Sequence, residues 1–529
     1  AEAAEAAGAD TAGAARASGA DRAAGPDLAA GGHPGAAGSR TEEISTERFP
    51  WLLDHCLVRQ RPGWRTDDHF PVVPLTTMVR WMLDAAEGAH PGRVAVAIEA
   101  IRATRWLSAD PPVEVTLSVT GQGPGRVRVA VEGYAQGTVL LADGYPPAPA
   151  PATDPLPDDE PSLIDAEELY SQRWMFHGPQ FHVVRALHGI GESGIRGRLR
   201  ALPAPGTLLD GAGQLVGYWV MARTTSGRIV LPTGITRIDL YGPEPAPPTE
   251  VEAGIRITGL DEATVRADLE LVAGGRTWAR IEGWTERRFA TDGPLWDALR
   301  FPEYHLVSEP RPGGWVLTPE RCRRTASREL VMRQYLGRRE RDHYESLNPG
   351  QRRQWLLGRL AAKDAVRHWL WDNGSGPLFP AEVEVTTHEG APEVRGPWDA
   401  DVRVSVAHCG TVAVAAVAEG SPVGIDVEAV SPRGDAFTAA ALSAREEELV
   451  PAVDRDGWLT RFWVAKEAVA KAAGSGLGGR PRHFEVVEVS GSSLRVGDHW
   501  VDTETVGDEQ GGELVVGWTR FAHARALGG

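Results

Sequence analysis

Two stretches of this chain run through the same order of elements, and that repetition limits the folds open to it. In residues 45–144 a Pro-led apolar segment, PLTTMVRWMLDAAEG, precedes the alternating segments RVAVAIEA, EVTLSV and RVRVAVEG. In 162–288 the segment LLDGAGQLVGYWVMA precedes IRITGL, TVRADLELV and RTWARIEGW. Long apolar segments of good helix formers read as buried helices, and period-two alternation marks strands with one face on a core. One helix with several antiparallel strands, twice over, implies a duplicated unit. Identity between the two stretches is low, so the repeat is one of architecture. A third region, about 303–525, mixes helices and strands.

The breaks between these regions set the domain limits. Residues 1–44 are Ala, Gly, Asp and Pro with almost no large apolar side chain, so they cannot offset their ordering entropy and read as a disordered linker. Pro-rich YPPAPAPATDPLPDDEP covers 145–161, inside the duplicated unit. A linker at 291–302 separates a domain at 45–290 from one at 303–529. A chain of 529 residues is too long for one core, which agrees with this division. The chain begins with Ala, which reads as part of a longer protein.

Charge and cysteine content narrow the function. A formal charge of −17 argues against nucleic-acid binding. Cys56, Cys322 and Cys409 are odd in number, far apart and without metal-ligand spacing, so a reducing, cytoplasmic setting is expected. No apolar run approaches the roughly 18 residues of a membrane helix.

Three features of the C-terminal region point to a metal and phosphate site. In Val423-Gly424-Ile425-Asp426-Val427-Glu428, a strand would point Asp426 and Glu428 to one face, where a hard divalent cation would relieve their repulsion. Phe462-Trp463-Val464-Ala465-Lys466-Glu467-Ala468-Val469-Ala470-Lys471 reads as a helix stopped at Gly474, with Glu467 and Lys471 one turn apart. A helix from Trp355 to Trp371 carries Arg359, Lys363 and Arg367 as a cationic stripe. Each has an ordinary explanation, respectively a solvated strand edge, a surface ion pair and a solvent-facing stripe. Their joint occurrence in this order favours the functional one.

That order resembles the signature of 4′-phosphopantetheinyl transferases: G-I-D-V-E, about forty residues, then F-W-x-x-K-E-A-x-x-K. Gly358-Arg359-Leu360-Ala361-Ala362-Lys363, Gly390-Ala391-Pro392 and Ser405-Val406-Ala407-His408-Cys409 extend the resemblance upstream. The family often has Ser, Cys or Thr where Val464 stands, and serines where Ala407 and Cys409 flank His408. The resemblance implies two similar α/β halves in one chain, with coenzyme A as substrate and an acyl carrier protein as acceptor, in cis or in trans. It implies that Asp426, Glu428 and Glu467 hold magnesium and that Glu467 helps to deprotonate the carrier serine. It also implies that Lys471 stabilises phosphate charge, that His408, Arg359 and Lys363 hold the nucleotide 3′-phosphate, and that Lys466 counts among the coenzyme A-binding residues.

The duplicated unit holds candidate acid–base residues. These are Leu53-Asp54-His55, Phe176-His177-Gly178-Pro179-Gln180-Phe181, and Asp210 with Gln214 at the opening of the second helix. Alone, Asp210 reads as a helix N-cap and each His as a packed histidine. Together they resemble the dehydratase domain of type I polyketide synthases, a double hotdog in which a long helix is wrapped by a sheet in each half. Asp210-x-x-x-Gln214, the G-P-x-F segment and Leu231-Pro232-Thr233-Gly234-Ile235 carry the likeness. It implies that His55 removes the α-proton of a β-hydroxyacyl thioester and that Asp210, oriented by Gln214 and raised in pKa, protonates the leaving hydroxyl. The family's His-x3-Gly-x4-Pro motif is altered here: Arg59 stands at the Gly position, and RPGWRTDDH intervenes before Pro71 and Pro74. His69 in that insert is a second candidate base, and His55 is preferred.

The fold class expected is therefore α+β, a double hotdog followed by a pseudo-twofold transferase. The order resembles the C-terminal end of iterative type I synthases, enediyne-type ones included. One rival keeps the transferase and makes the hotdog region a non-catalytic or acyl-binding module. Another makes the whole piece a docking scaffold with a dead transferase. Paired hotdog surfaces also raise the expectation of a homodimer.

Overall fold

The computed structural model describes residues 36–152, 156–388, 390–507 and 511–520. The N-terminal region is one antiparallel sheet of 11 strands wrapped around two long helices. The first half runs Ala36–Ile44, Val113–Gly123, Arg126–Val131, Ala135–Ala142, Val94–Ala103 in spatial order. The second runs Ile229–Leu240, Arg276–Phe289, Thr264–Ala273, Glu250–Leu260, Gly194–Arg200, Val184–Gly191. Val94–Ala103 and Ile229–Leu240 pair antiparallel, Ile98 opposite Ile238, so the two hotdog units share a continuous sheet.

The helices Leu75–Ala89 and Thr207–Arg223 fill the concave sides of this sheet. The second is buried on nearly every side, as expected of a helix that is apolar all round. The two meet at their N-termini. Gly206, in the left-handed region at φ 77°, starts the second helix, and a Cβ there would lie 2.4 Å from the Thr76 carbonyl oxygen. Thr77 donates to the Pro205 carbonyl at 2.8 Å. Asp210 lies inside the first turn rather than at the N-cap, so its carboxylate is free for other partners.

Two expected linkers need correction. Residues 1–35 lie outside the described residues, but Ala36–Ile44 is a strand paired with Val113–Gly123. Its alternating Ser, Arg, Thr and Glu hid an edge strand that ends on fully buried Ile44. Within 291–302, Gly293–Arg300 is a helix capped by Asp292, with Leu295, Trp296 and Ala298 buried.

The C-terminal region consists of two matching halves. In one, helix Pro349–Asp372 packs on a four-stranded sheet that includes Val402–Cys409 and Val412–Glu419. In the other, helix Arg455–Ala472 packs on a five-stranded sheet that includes Ile425–Ala429 and Glu513–Thr519. The halves repeat an internal ion pair. Lys363 binds Glu340 at 2.6 Å, and Glu340 also accepts from the Val385 amide. Lys466 binds Glu446 at 2.7 Å, and Glu446 accepts from the Val486 amide. Each pair joins the long helix to a short helix before it and a strand after it. No helix among the described residues is long and apolar enough to cross a membrane.

Candidate active sites

The first site is built where the two hotdog helices meet. His55 caps the C-terminal end of a short 3-10 turn, Pro50–Asp54, in the first half, and Asp210 comes from the helix of the second. His55 Nε2 lies 3.9 Å from Asp210 Oδ1. His55 Nδ1 lies 2.7 Å from the Val72 carbonyl oxygen. A carbonyl only accepts, so Nδ1 carries the proton and Nε2 presents its lone pair toward Asp210. Burial outweighs the nearby carboxylate and lowers the His55 pKa to about 4, so the ring is neutral around pH 7.

His177 completes the cluster, and its role was not legible beforehand. Its Nε2 lies 3.3 Å from Asp210 Oδ2, and its Nδ1 is buried without a hydrogen-bond partner. Donor atoms of His55, His177 and Asp210 all lie within 4.8 Å of one another. The G-P-x-F turn places His177 here. The Gly178 amide donates to the Asp54 carbonyl at 2.7 Å, and a Cβ on Gly178 would strike the Asp54 carboxylate. The only advance signal was adjacency to that turn.

Asp210 departs from the expected raised pKa. Its burial raises the pKa, but His177, His55 and a 2.8 Å bond from Gln214 Nε2 together bring it below the ordinary carboxylate value. Gln214 is itself fixed, donating to the Phe181 carbonyl at 2.9 Å and accepting from Tyr170 at 2.7 Å. Behind this helix, Glu286 is buried with one oxygen on the Trp284 indole N–H at 2.8 Å. Burial pushes its pKa up to about 8, with Asp210 adding to the rise. His69 shares its segment with Asp68 and lies outside this cluster.

The second site lies on strand Ile425–Ala429 under helix Arg455–Ala472. Gly424 is required by close approach, since a Cβ there would sit 1.8 Å from the Ala468 carbonyl oxygen. That approach brings Asp426, Glu428, Glu467 and Lys471 into one electrostatic group. All three carboxyls are raised in pKa, first by burial, with mutual repulsion raising Glu428 and Glu467 further. Lys471 Nζ donates to Asp426 Oδ1 at 2.8 Å and to the Ile425 carbonyl at 3.1 Å. Asp426 Oδ2 is buried with no partner. An orphaned carboxylate oxygen among acids that repel one another fits a hard, oxygen-seeking divalent cation.

The expected nucleotide-binding cations divide in two. Arg359 is partly exposed, stacks over Trp355 and donates to Thr387 at 2.9 Å. His408 is exposed on its strand. Lys363 is fully buried, with its ammonium held by Glu340 and the Pro380 and Val383 carbonyls. Lys466 is likewise inside, on Glu446 and the Ala441 and Pro481 carbonyls. Neither reaches a surface where a phosphate could bind, so both are structural here. Arg367 is no surface cation either, being buried on Asp364 at 3.0 Å.

Two family models match separate stretches of the chain. Residues 422–515 match the family model of the 4′-phosphopantetheinyl transferase superfamily. Residues 148–295 match that of the polyketide synthase dehydratase N-terminal domain, a match that covers Asp210 but not His55. A polyunsaturated fatty acid synthase polypeptide of Thraustochytrium sp. is 26% identical over 237 residues, 39% of this chain and 8% of that protein. The chain thus spans a small part of that relative's length. The dehydratase domain of a mycocerosic acid synthase-like polyketide synthase is 20% identical and covers 48% of this chain and 91% of its own, with a TM-score of 0.37. The dehydratase domain from the CurF module of curacin polyketide synthase is 18% identical over 50% of this chain and 96% of its own, with a TM-score of 0.38. One stretch of the chain is thus similar to polyketide synthase dehydratases and a later one to 4′-phosphopantetheinyl transferases.

Proposed function

We propose that residues 303–529 transfer the 4′-phosphopantetheine arm of coenzyme A to a serine of an acyl carrier protein, with magnesium, and that residues 45–290 dehydrate β-hydroxyacyl thioesters on such carriers. The observation that carries the transferase reading is the unpartnered Oδ2 of buried Asp426 beside half-buried Glu428 and Glu467. Asp426, Glu428 and Glu467 would hold Mg²⁺, which when bound supplies charge neutralisation at the pyrophosphate. Glu467 takes the proton of the carrier serine. The serine oxygen attacks the β-phosphorus, the bond to the bridging oxygen breaks, and 3′,5′-ADP leaves. Lys471 turns its ammonium to the phosphate, and Arg359 and His408 hold the 3′-phosphate.

In the dehydratase half, neutral His55 removes the α-proton through Nε2. Asp210 is held as a carboxylate, so the proton for the departing hydroxyl comes from the Asp210–His177 pair rather than from Asp210 alone. Water leaves and the double bond forms. A cytoplasmic setting and a homodimer belong to the same reading. The longer loop after His55 favours one second reading, in which the hotdog region binds acyl chains without turning them over.

The test combines intact-mass measurement of an apo carrier incubated with coenzyme A and Mg²⁺, and ultraviolet detection of the enoyl product from a β-hydroxyacyl thioester. A mass gain of one arm and an enoyl product are expected. No mass gain across several carriers would remove the transferase reading. Acyl binding without product would leave the second reading of the hotdog half.

A further inference from the structure

The loop that makes the His55 motif unusual is also one of the places where the two regions of the chain touch. Its neck is closed on itself. The Val72 amide donates to the His55 carbonyl at 3.1 Å, Leu57 to Phe70 at 3.2 Å, and Val58 to His69 at 3.1 Å. His55 and Val72, whose carbonyl fixes the His55 ring, stand at that neck. The far part of the loop is fastened to the C-terminal region.

That fastening is buried and polar. Arg341 Nη1 binds Asp68 Oδ1 at 2.5 Å, and its guanidinium also reaches Asp67 and the Leu336 carbonyl. The other Asp68 oxygen accepts from the Trp64 indole at 2.9 Å. Gln334 clasps the Arg59 backbone from both sides, accepting from its amide at 3.3 Å and donating to its carbonyl at 2.7 Å. Gln60 donates to the Gln334 carbonyl at 3.2 Å. The Arg333 guanidinium lies 3.8 Å from the Phe70 ring centroid, beside a Phe70 backbone held in the left-handed region at φ 53°. Asp68 and Gln334 are each 2% exposed.

Buried charge pairs give little net stability but tolerate little displacement, since a lost partner leaves an uncompensated charge. They therefore fix geometry. We propose that Arg341 and Gln334 are positioning residues for His55, so that the dehydratase site is complete only with the C-terminal region docked on the loop. This rests on the dehydratase reading above. Neighbouring Glu340 faces the other way, onto Lys363, so one short helix, Arg338–Ser346, braces both regions.

The full chain carrying Arg341→Met, Arg341→Lys or Gln334→Ala is assayed with a β-hydroxyacyl N-acetylcysteamine thioester, and for arm transfer by carrier mass. Displacing a base by an ångström costs rate far more than binding, so Arg341→Met is expected to lower dehydration kcat by about tenfold or more. KM should change less than about twofold, arm transfer should keep its wild-type rate, and Arg341→Lys should recover part of the loss. Gln334→Ala should fall in the same direction. Wild-type kcat in Arg341→Met and Gln334→Ala overturns the proposal. Parallel loss of both activities also overturns it, since Arg341 would then be a folding contact. A wild-type chain no faster than His55→Phe would instead overturn the dehydratase reading itself.

Discussion

Asp426 ties charge, burial and chemistry together at one residue. Its Oδ1 is engaged by Lys471 and its Oδ2 by nothing among the described residues. Asp426→Ala and Glu467→Ala are therefore expected to cut arm transfer by at least about 10³-fold, in line with losing charge stabilisation in phosphoryl transfer, and carrier mass checks it. Asp426→Asn should keep the fold and lose the activity. At the other site, His177→Phe preserves a ring against Phe176, with which His177 stacks at 4.0 Å, and removes the partner of Asp210. Dehydration kcat should fall by about 10²-fold, the contribution of a positioned proton donor, with KM little changed. A wild-type kcat in that variant would return the acid role to Asp210 alone.

At the scale of elements, the signature strand and helix were legible because their constraints are local. Gly424 is Gly because a helix backbone passes over it, and Asp426 and Glu428 alternate on one strand. What was not legible depended on partners distant in sequence. Arg359, Lys363 and Arg367 have the spacing of a solvent-facing stripe. Two of them are buried because their partners lie elsewhere in the chain: Glu340, on another helix, takes Lys363, and the Pro302, His305 and Leu378 carbonyls take Arg367. His177 and Glu286 belong to a cluster assembled from separate halves, which local pattern cannot show. The buried Lys466–Glu446 pair gives a prediction of its own. Glu446→Ala strands a buried ammonium and should cost about 3–5 kcal/mol, read by chemical denaturation of the C-terminal region. Lys466→Met should likewise lower stability while leaving the KM for coenzyme A unchanged, as a structural rather than a binding lysine must.

At the scale of the whole molecule, two buried groups titrate in opposite senses inside one core, and they shape its stability against pH. His55 has a folded pKa of about 4, below its ordinary 6.5. The unfolded chain binds that proton more readily, so stability is lost as pH falls from 6.5 toward 4. Glu286 has a folded pKa of about 8, above its ordinary 4.5. Here the folded chain binds the proton more readily, so stability is present below 4.5 and lost as pH rises toward 8. Above 6.5 only Glu286 still acts, and the hotdog region should weaken on the alkaline side by an amount on the order of a few kcal/mol. Glu286→Gln keeps an acceptor for the Trp284 indole but has nothing to ionise. Calorimetry of the full chain should show the hotdog transition of this variant gaining on wild type at pH 8 and matching it near pH 4.5. His55→Phe should instead flatten the acid side and leave the alkaline loss in place. If Glu286→Gln lowers the transition equally at both pH values, the carboxyl is held by hydrogen bonding in both charge states, and the alkaline weakening must come from another group.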